Sequence, residues 1–462
     1  MISHKSKKLI NNVGIFAIGN LGSKLISFIL IPIFTRYMPA SEFGHVDIIT
    51  TTVNMLLPIV SLSIADAVFR FVMDKNANQT RIFTTGLIFN FVMIVISLVS
   101  YPILKLSHVA YAGYILLYLS AGLLQLLLQN FVRGIGYIRL FAINGLTSSI
   151  VLAGVGIWRI VFQHAGVIGY LDALISSTLV SIIFLITFSS IWRFITFTQF
   201  NLQMLRTMLI YSVPLIPNSF LWFFTNDASR YFIVGFLGLT ANGLYAVATK
   251  IPTIINVFYT VFAQAWQISA VEEYENDRDG DFFSTIFNAN VGLSVILIGG
   301  ILVVLKPVMS IFVASSYFLA WQIVPSLLFA SFFSNLSSFL GTIYLATKKT
   351  GGIMKTTVYG MIVNILLNCT LVPIFGLQGA GIGAALGFAF IAGVRLIDVR
   401  KFVKLNIAWV NLEISIGLMI LMSLIQFVFN NHGIIQYTLL AIFELILIII
   451  NVNYLIKSRQ RN

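Results

Sequence analysis

The chain reads as an all-α polytopic membrane protein with fourteen transmembrane helices, and three features of the sequence predict it. First, 58% of its 462 residues are hydrophobic and only 9% are charged. An average soluble chain is about 45–50% apolar and about 25% charged, and a soluble core cannot hide such an excess. Second, apolar runs of about 20 residues, the length that crosses a bilayer, recur from end to end. Third, the basic residues gather in alternate connections, as the positive-inside rule requires.

The fourteen segments fall at 12–35, 45–68, 82–104, 112–131, 141–163, 168–191, 208–233, 241–269, 283–304, 321–345, 352–373, 379–398, 411–430 and 434–456. Lys5, Lys7 and Lys8 precede the first, and that run is longer than the roughly 7–15 apolar residues of a signal peptide, so it reads as a retained span. With those lysines in the cytoplasm, most of the 28 basic residues fall in cytoplasmic connections or in the tail. Examples are Arg133, Arg139, Arg193, Arg206, Arg395, Arg400 and Lys401. An even number of spans then puts both termini inside.

The net charge of +13 does not indicate a nucleic-acid surface, because the cations are spread singly along short connections. One cytoplasmic connection is acidic, carrying Glu272, Glu273, Glu275, Asp277, Asp279 and Asp281. Gly280 stands at the fourth position of an Asp-rich run where a calcium loop needs glycine at the sixth, so this reads as a solvated loop. The single cysteine, Cys369, allows no intrachain disulfide. No nucleotide-binding glycine loop occurs, and the five histidines are scattered, so no cofactor or metal is expected and no catalytic residue stands out.

The two halves echo each other at a spacing of roughly 200–215 residues. Asn20 and Ser41-Glu42-Phe43-Gly44 match Asn218 and Ala241-Asn242-Gly243, and Gly166-Val167-Ile168-Gly169 matches Gly376-Leu377-Gln378-Gly379. A duplicated six-helix unit would give this pattern as a parallel repeat. The expected division is 1–200, 201–405, and two further helices with the tail at 406–462.

Thr35-Arg36-Tyr37-Met38-Pro39-Ala40-Ser41-Glu42-Phe43-Gly44 and the stretch from Gly235 to Ile251 carry a family resemblance. Together they resemble Wzx-type polysaccharide flippases of the multidrug, oligosaccharidyl-lipid and polysaccharide exporter superfamily. The resemblance covers nearly the whole chain. It implies two pseudo-symmetric six-helix lobes around a central cavity that opens alternately to either side of the cell membrane. It further implies an undecaprenyl-diphosphate-linked oligosaccharide as substrate. Membrane lipid would surround the protein, and a polysaccharide polymerase with its chain-length machinery would be the downstream partner. Other members of the superfamily leave a lipid II flippase and a cation-coupled multidrug antiporter open. A membrane-embedded polymerase would need a larger loop domain than any in this chain.

Charges at bilayer depth are functional candidates because they are costly there. Lys24 lies about 18 Å into the first span and Lys250 about 14 Å from the outer end of the eighth, both near the midplane of a roughly 30 Å core. Two ammonium groups would attract an anionic headgroup, and no carboxylate suited to a cationic drug lies at that depth in spans one to twelve. Arg36, Asp66, Arg70, Asp227 and Arg230 are candidates for a gate or cavity rim, with Asp66–Arg70 and Asp227–Arg230 at pairing distance along a helix. Glu444, near the middle of the last span, is a candidate for ion coupling, for a lipid groove, or for a hydrogen bond to Asn451 or Asn453. Pro32, Pro214 and Pro217 are placed to bend the first and seventh spans. Gly379, Gly383 and Gly387 repeat every four residues and favour close helix packing.

Overall fold

The computed structural model describes residues 22–74, 76–273, 280–347, 349, 351–429 and 433–461. The N-terminal lysines, Asn20, the start of the first span, Lys75, Lys348 and the acidic positions 275, 277 and 279 lie outside the described residues. Within them the chain is helical. The helices are α1 (22–37), α2 (Ala40–Val60), α3 (Ile64–Val72), α4 (Gln79–Leu106), α5 (Ala112–Gly134), α6 (Ile138–Phe162) and α7 (Gly166–Ser189). Then come α8 (Leu202–Asn226), α9 (Ser229–Leu237), α10 (Leu239–Ala248), α11 (Lys250–Glu273), α12 (Asp281–Phe312) and α13 (Val324–Ala346). The last are α14 (Gly351–Phe375), α15 (Leu377–Val399), α16 (Trp409–Val428) and α17 (Ile434–Arg461). Thirteen described helical segments are long and apolar enough to cross a membrane, and α1 is the described part of the remaining expected span.

Most span edges fall within a few residues of those expected, although α12 runs on to Phe312 where 283–304 is expected, and several spans are interrupted inside. The expected span 45–68 ends at Val60, where Leu62 and Ser63 take left-handed φ values of 49° and 52° and Ser61 Oγ donates to Leu57 O at 2.7 Å. Asp66 and Arg70 therefore ride on the separate helix α3. The expected seventh span begins earlier, at Leu202, where Asn201 Oδ1 accepts from Met204 N at 2.7 Å. It stops at Asn226, and Asp227 and Ala228 form a turn before α9. The eighth span changes helix at Thr249, three residues ahead of Pro252, whose ring removes a backbone donor.

The chain divides into two compact units, with the boundary along the sequence between Phe223 and Phe224. In the first, the core is an apolar cluster of α3, α4, α5 and α7 with Met208 of α8; the Phe83 and Phe131 rings lie 4.2 Å apart, tilted by 34°. Buried amides tie the helices together: Asn144 Nδ2 donates to Ser181 Oγ at 2.9 Å, linking α6 to α7. Thr84 pins the connection after α7, donating to Phe194 O at 3.0 Å and accepting from Thr196 N at 3.1 Å.

In the second unit, α15 packs between α13 and α14. The expected glycine stripe lies against α14: a methyl on Gly379 would strike Leu371 O, and Gly387 faces Asn364. Trp266 stacks on Phe339 at 4.3 Å and donates Nε1–H to Phe339 O at 3.3 Å, locking α11 to α13. The last two helices belong to this unit and pack on α12. Lys306, 2% exposed, donates to Phe429 O at the end of α16 at 2.8 Å and lies 4.3 Å from the Trp321 ring centre. A cation at a helix C-terminus is stabilising. Nearby, Gln426 Nε2 donates to Leu302 O at 2.5 Å and Gln436 Nε2 donates to Gln426 Oε1 at 3.0 Å. Lys306→Met is expected to cost about 1.5–3 kcal/mol, the worth of a charged hydrogen bond. The checks are a lower melting temperature in detergent and faster proteolysis of the connection after α16.

Candidate functional site

The breaks at Asp227 and Thr249 place charges at the ends of half-helices, and in the second unit these ends converge. Arg230, in the first turn of α9, reaches back across the turn, its Nη1 2.6 Å from Asp227 Oδ1. Its guanidinium carbon lies 5.7 Å from the Tyr245 ring centre on α10. Lys250 opens α11, whose first turn presents the positive end of the helix dipole. These groups line one cavity of about 260 Å³.

Polar hydroxyl and amide groups complete its wall: Thr249, Thr253 and Asn256 from the α11 side, and Ser331 and Ser334 from α13. Leu327, Ala330, Ala384 and Phe388 supply the apolar part. The Arg230 side chain is 13% exposed and that of Asp227 40%, so the pair is held partly out of water. Among the described residues that line the cavity, two are cationic and one is a carboxylate. Donors on hydroxyls and an amide surround these groups. Such a wall suits the oxygens of a phosphate ester.

Three of the sequence candidates, Lys250, Asp227 and Arg230, are thus brought together. Lys24 and Arg36 are exposed on α1 in the first unit. Asp66 and Arg70 do not pair. Arg70 Nη1 bonds Asp74 Oδ1 at 2.6 Å, and Asp66 instead lies in the field of Arg133, because the break at Leu62 and Ser63 turns α3 onto α5. Arg159 bonds Asp172 at 2.5 Å, tying α6 to α7.

Glu444 does not bond Asn451. The Asn451 amide donates to Ser415 Oγ at 3.1 Å and Leu447 O at 2.9 Å. Glu444 Oε2 is buried without a hydrogen-bond partner and faces Gly299 and Gly300 of α12. Two cavity residues that the sequence reading passed over, Thr253 and Asn256, had a signal: they follow Lys250 at every third position in an apolar helix, one face of one stripe. Arg395, expected in a cytoplasmic connection, is instead 3% exposed inside α15.

The sequence model of the polysaccharide biosynthesis protein family matches residues 9–267, more than half of the chain. The chain belongs to this family. No curated protein sequence matches it significantly. Among solved structures it resembles lipid II flippase MurJ in an inward closed conformation, with a TM-score of 0.70 at 13% identity, covering 96% of this chain and 99% of that one. It also resembles the Vibrio cholerae MATE transporter VcmN, with a TM-score of 0.59 at 14% identity, covering 86% of this chain and 96% of that one. An inward-facing multidrug resistance MATE transporter of the MOP superfamily gives 0.60 at 14% identity, covering 85% of this chain and 93% of that one. At these identities the likeness establishes a shared fold. This member of the polysaccharide biosynthesis family is therefore a multi-pass membrane protein with the MurJ and MATE transporter fold.

Proposed function

We propose that the protein flips an undecaprenyl-diphosphate-linked oligosaccharide repeat unit from the inner to the outer leaflet of the cytoplasmic membrane by alternating access. The observation that carries this reading is the cavity around Lys250, in which cationic side chains outnumber the carboxylate and hydroxyls line the wall. Membership of a polysaccharide biosynthesis family supports the sugar, and the MurJ-like fold suits a lipid-borne substrate. In this reading Lys250, and Lys24 on α1, hold the diphosphate as point charges. The Asp227–Arg230 pair forms a rim that holds the second cation in place. The lobes 1–200 and 201–405 rock against each other, Glu444 is the candidate for ion coupling, and consumption of the product by a polymerase draws transport forward.

A MATE-type exporter of organic cations would share the fold. A cavity lined by two cationic side chains and one carboxylate disfavours such a substrate. The experiment that tests the reading is deletion of the gene followed by analysis of inner-leaflet lipids. A lipid diphosphate bearing one complete repeat unit is expected to accumulate. An unchanged lipid pool together with loss of resistance to cationic drugs would count against it.

A further inference from the structure

The helices that build the Lys250 cavity carry a second polar cluster one to two turns further along. On α11 the series Lys250, Thr253, Asn256 continues to Tyr259; on α13 Ser331 and Ser334 continue to Ser337; on α15 Phe388 is followed two turns later by Arg395. Arg395 is 3% exposed. Its Nε donates to Thr356 Oγ1 at 3.0 Å, Nη1 to Ser337 O at 2.8 Å, and Nη2 to Thr357 Oγ1 at 3.0 Å. All three acceptors are neutral. Among the described residues no carboxylate pairs with it. Asp398, one turn away, is engaged by the Tyr344 hydroxyl at 2.9 Å and by Lys401 at 3.0 Å.

Two further observations point to an anionic ligand. The Tyr259 hydroxyl lies within electrostatic range of the guanidinium and is buried with no hydrogen-bond partner. On α13, Gly341 makes room for the guanidinium: a Cβ there would lie 3.0 Å from Nη1. A guanidinium carries five N–H donors, and only three are engaged here. A buried cation held by neutral oxygens alone leaves much of its desolvation cost uncompensated. A purely structural link between these helices needs no charge, since an amide could bridge the same hydroxyls.

We propose that Arg395 and Tyr259 form a second anion site that receives the phosphate or diphosphate of a lipid headgroup on its way to Lys250. The proposal rests on the reading that the substrate is a lipid diphosphate. The free N–H groups and the phenol O–H offer donors, the complement of phosphate oxygens. Exchanging threonine hydroxyls for charged oxygens sets opposite charges against each other, where the cation now has only neutral acceptors. The site also lies toward the helix ends that the basic connections assign to the cytoplasm, where a newly made headgroup arrives.

The test is equilibrium binding to the purified full-length protein in phosphatidylcholine nanodiscs, with undecaprenyl diphosphate in the bilayer or inorganic diphosphate in solution as probes. Two equivalents of the lipid are expected to bind. Arg395→Gln should weaken one of them roughly tenfold or more, and Arg395→Lys, which keeps charge but not the planar fork, should recover part of it. Should Arg395→Gln fold poorly, Tyr259→Phe is expected to weaken the same equivalent several-fold in a protein with unchanged melting temperature. Two full-affinity equivalents in both Arg395→Gln and Tyr259→Phe would overturn the proposal. So would a site that takes inorganic diphosphate but not the lipid. If Lys250→Ala alone removes all binding, the second site fails while the transport reading stands. If Lys250→Ala changes nothing and Arg395→Gln removes binding, the Arg395 site stands and the role given to Lys250 fails.

Discussion

Lys250→Ala is expected to abolish surface polysaccharide while the full-length protein stays in the membrane at its normal level. The substitution removes one of the two cations that line the cavity with Asp227. A charge-assisted hydrogen bond is worth about 1.5–3 kcal/mol, so transport should fall on the order of 10- to 100-fold. Lys250→Arg should retain part of the activity, because charge is kept while the fork adds bulk to a cavity of about 260 Å³. Lys24→Ala is expected to lower export as well. The measurement is polymer at the cell surface, with the protein followed by immunoblot. Normal polymer from Lys250→Ala would count against a headgroup role.

The largest stability effect is expected at Gly379. A side chain there would collide with the Leu371 carbonyl of α14, a backbone group that no rotamer change can move. Overpacking commonly costs about 1–3 kcal/mol and more where backbone must shift, so Gly379→Val should leave little folded protein after detergent extraction. Gly393→Ala on the same helix is the comparison, since nothing lies within 4 Å of a Cβ there, and it should extract normally. A well-folded Gly379→Val protein would mean that α14 and α15 separate more easily than their packing indicates.

The spans were legible because length and apolarity are imposed residue by residue by the bilayer. Their interruptions were not. Leu62 and Ser63, Asp227 and Ala228, and Thr249 break helices without interrupting the apolar run, so a hydropathy ruler passes straight across them. The same turns place Asp227 and Lys250 at helix ends, and this decides which groups meet. Arg395 looks like a loop marker because it lies near the end of its span and close to Arg400 and Lys401, yet α15 buries it. Of the cavity, the charged members stood out in an apolar sequence. Ser331 and Ser334 did not, since small hydroxyls occur throughout these helices and identify no face by themselves.

The most direct measurement of flipping is leaflet exchange in liposomes that contain the purified protein and a fluorescent undecaprenyl-diphosphate-linked oligosaccharide. Headgroup accessibility to a quencher reports which leaflet the lipid occupies. Exchange is expected with the native protein, with a strong reduction in Lys250→Ala and none for the same glycan on an uncharged lipid. No protein-dependent exchange, or equal exchange of charged and uncharged lipids, would contradict a flippase that grips its substrate by an anionic headgroup.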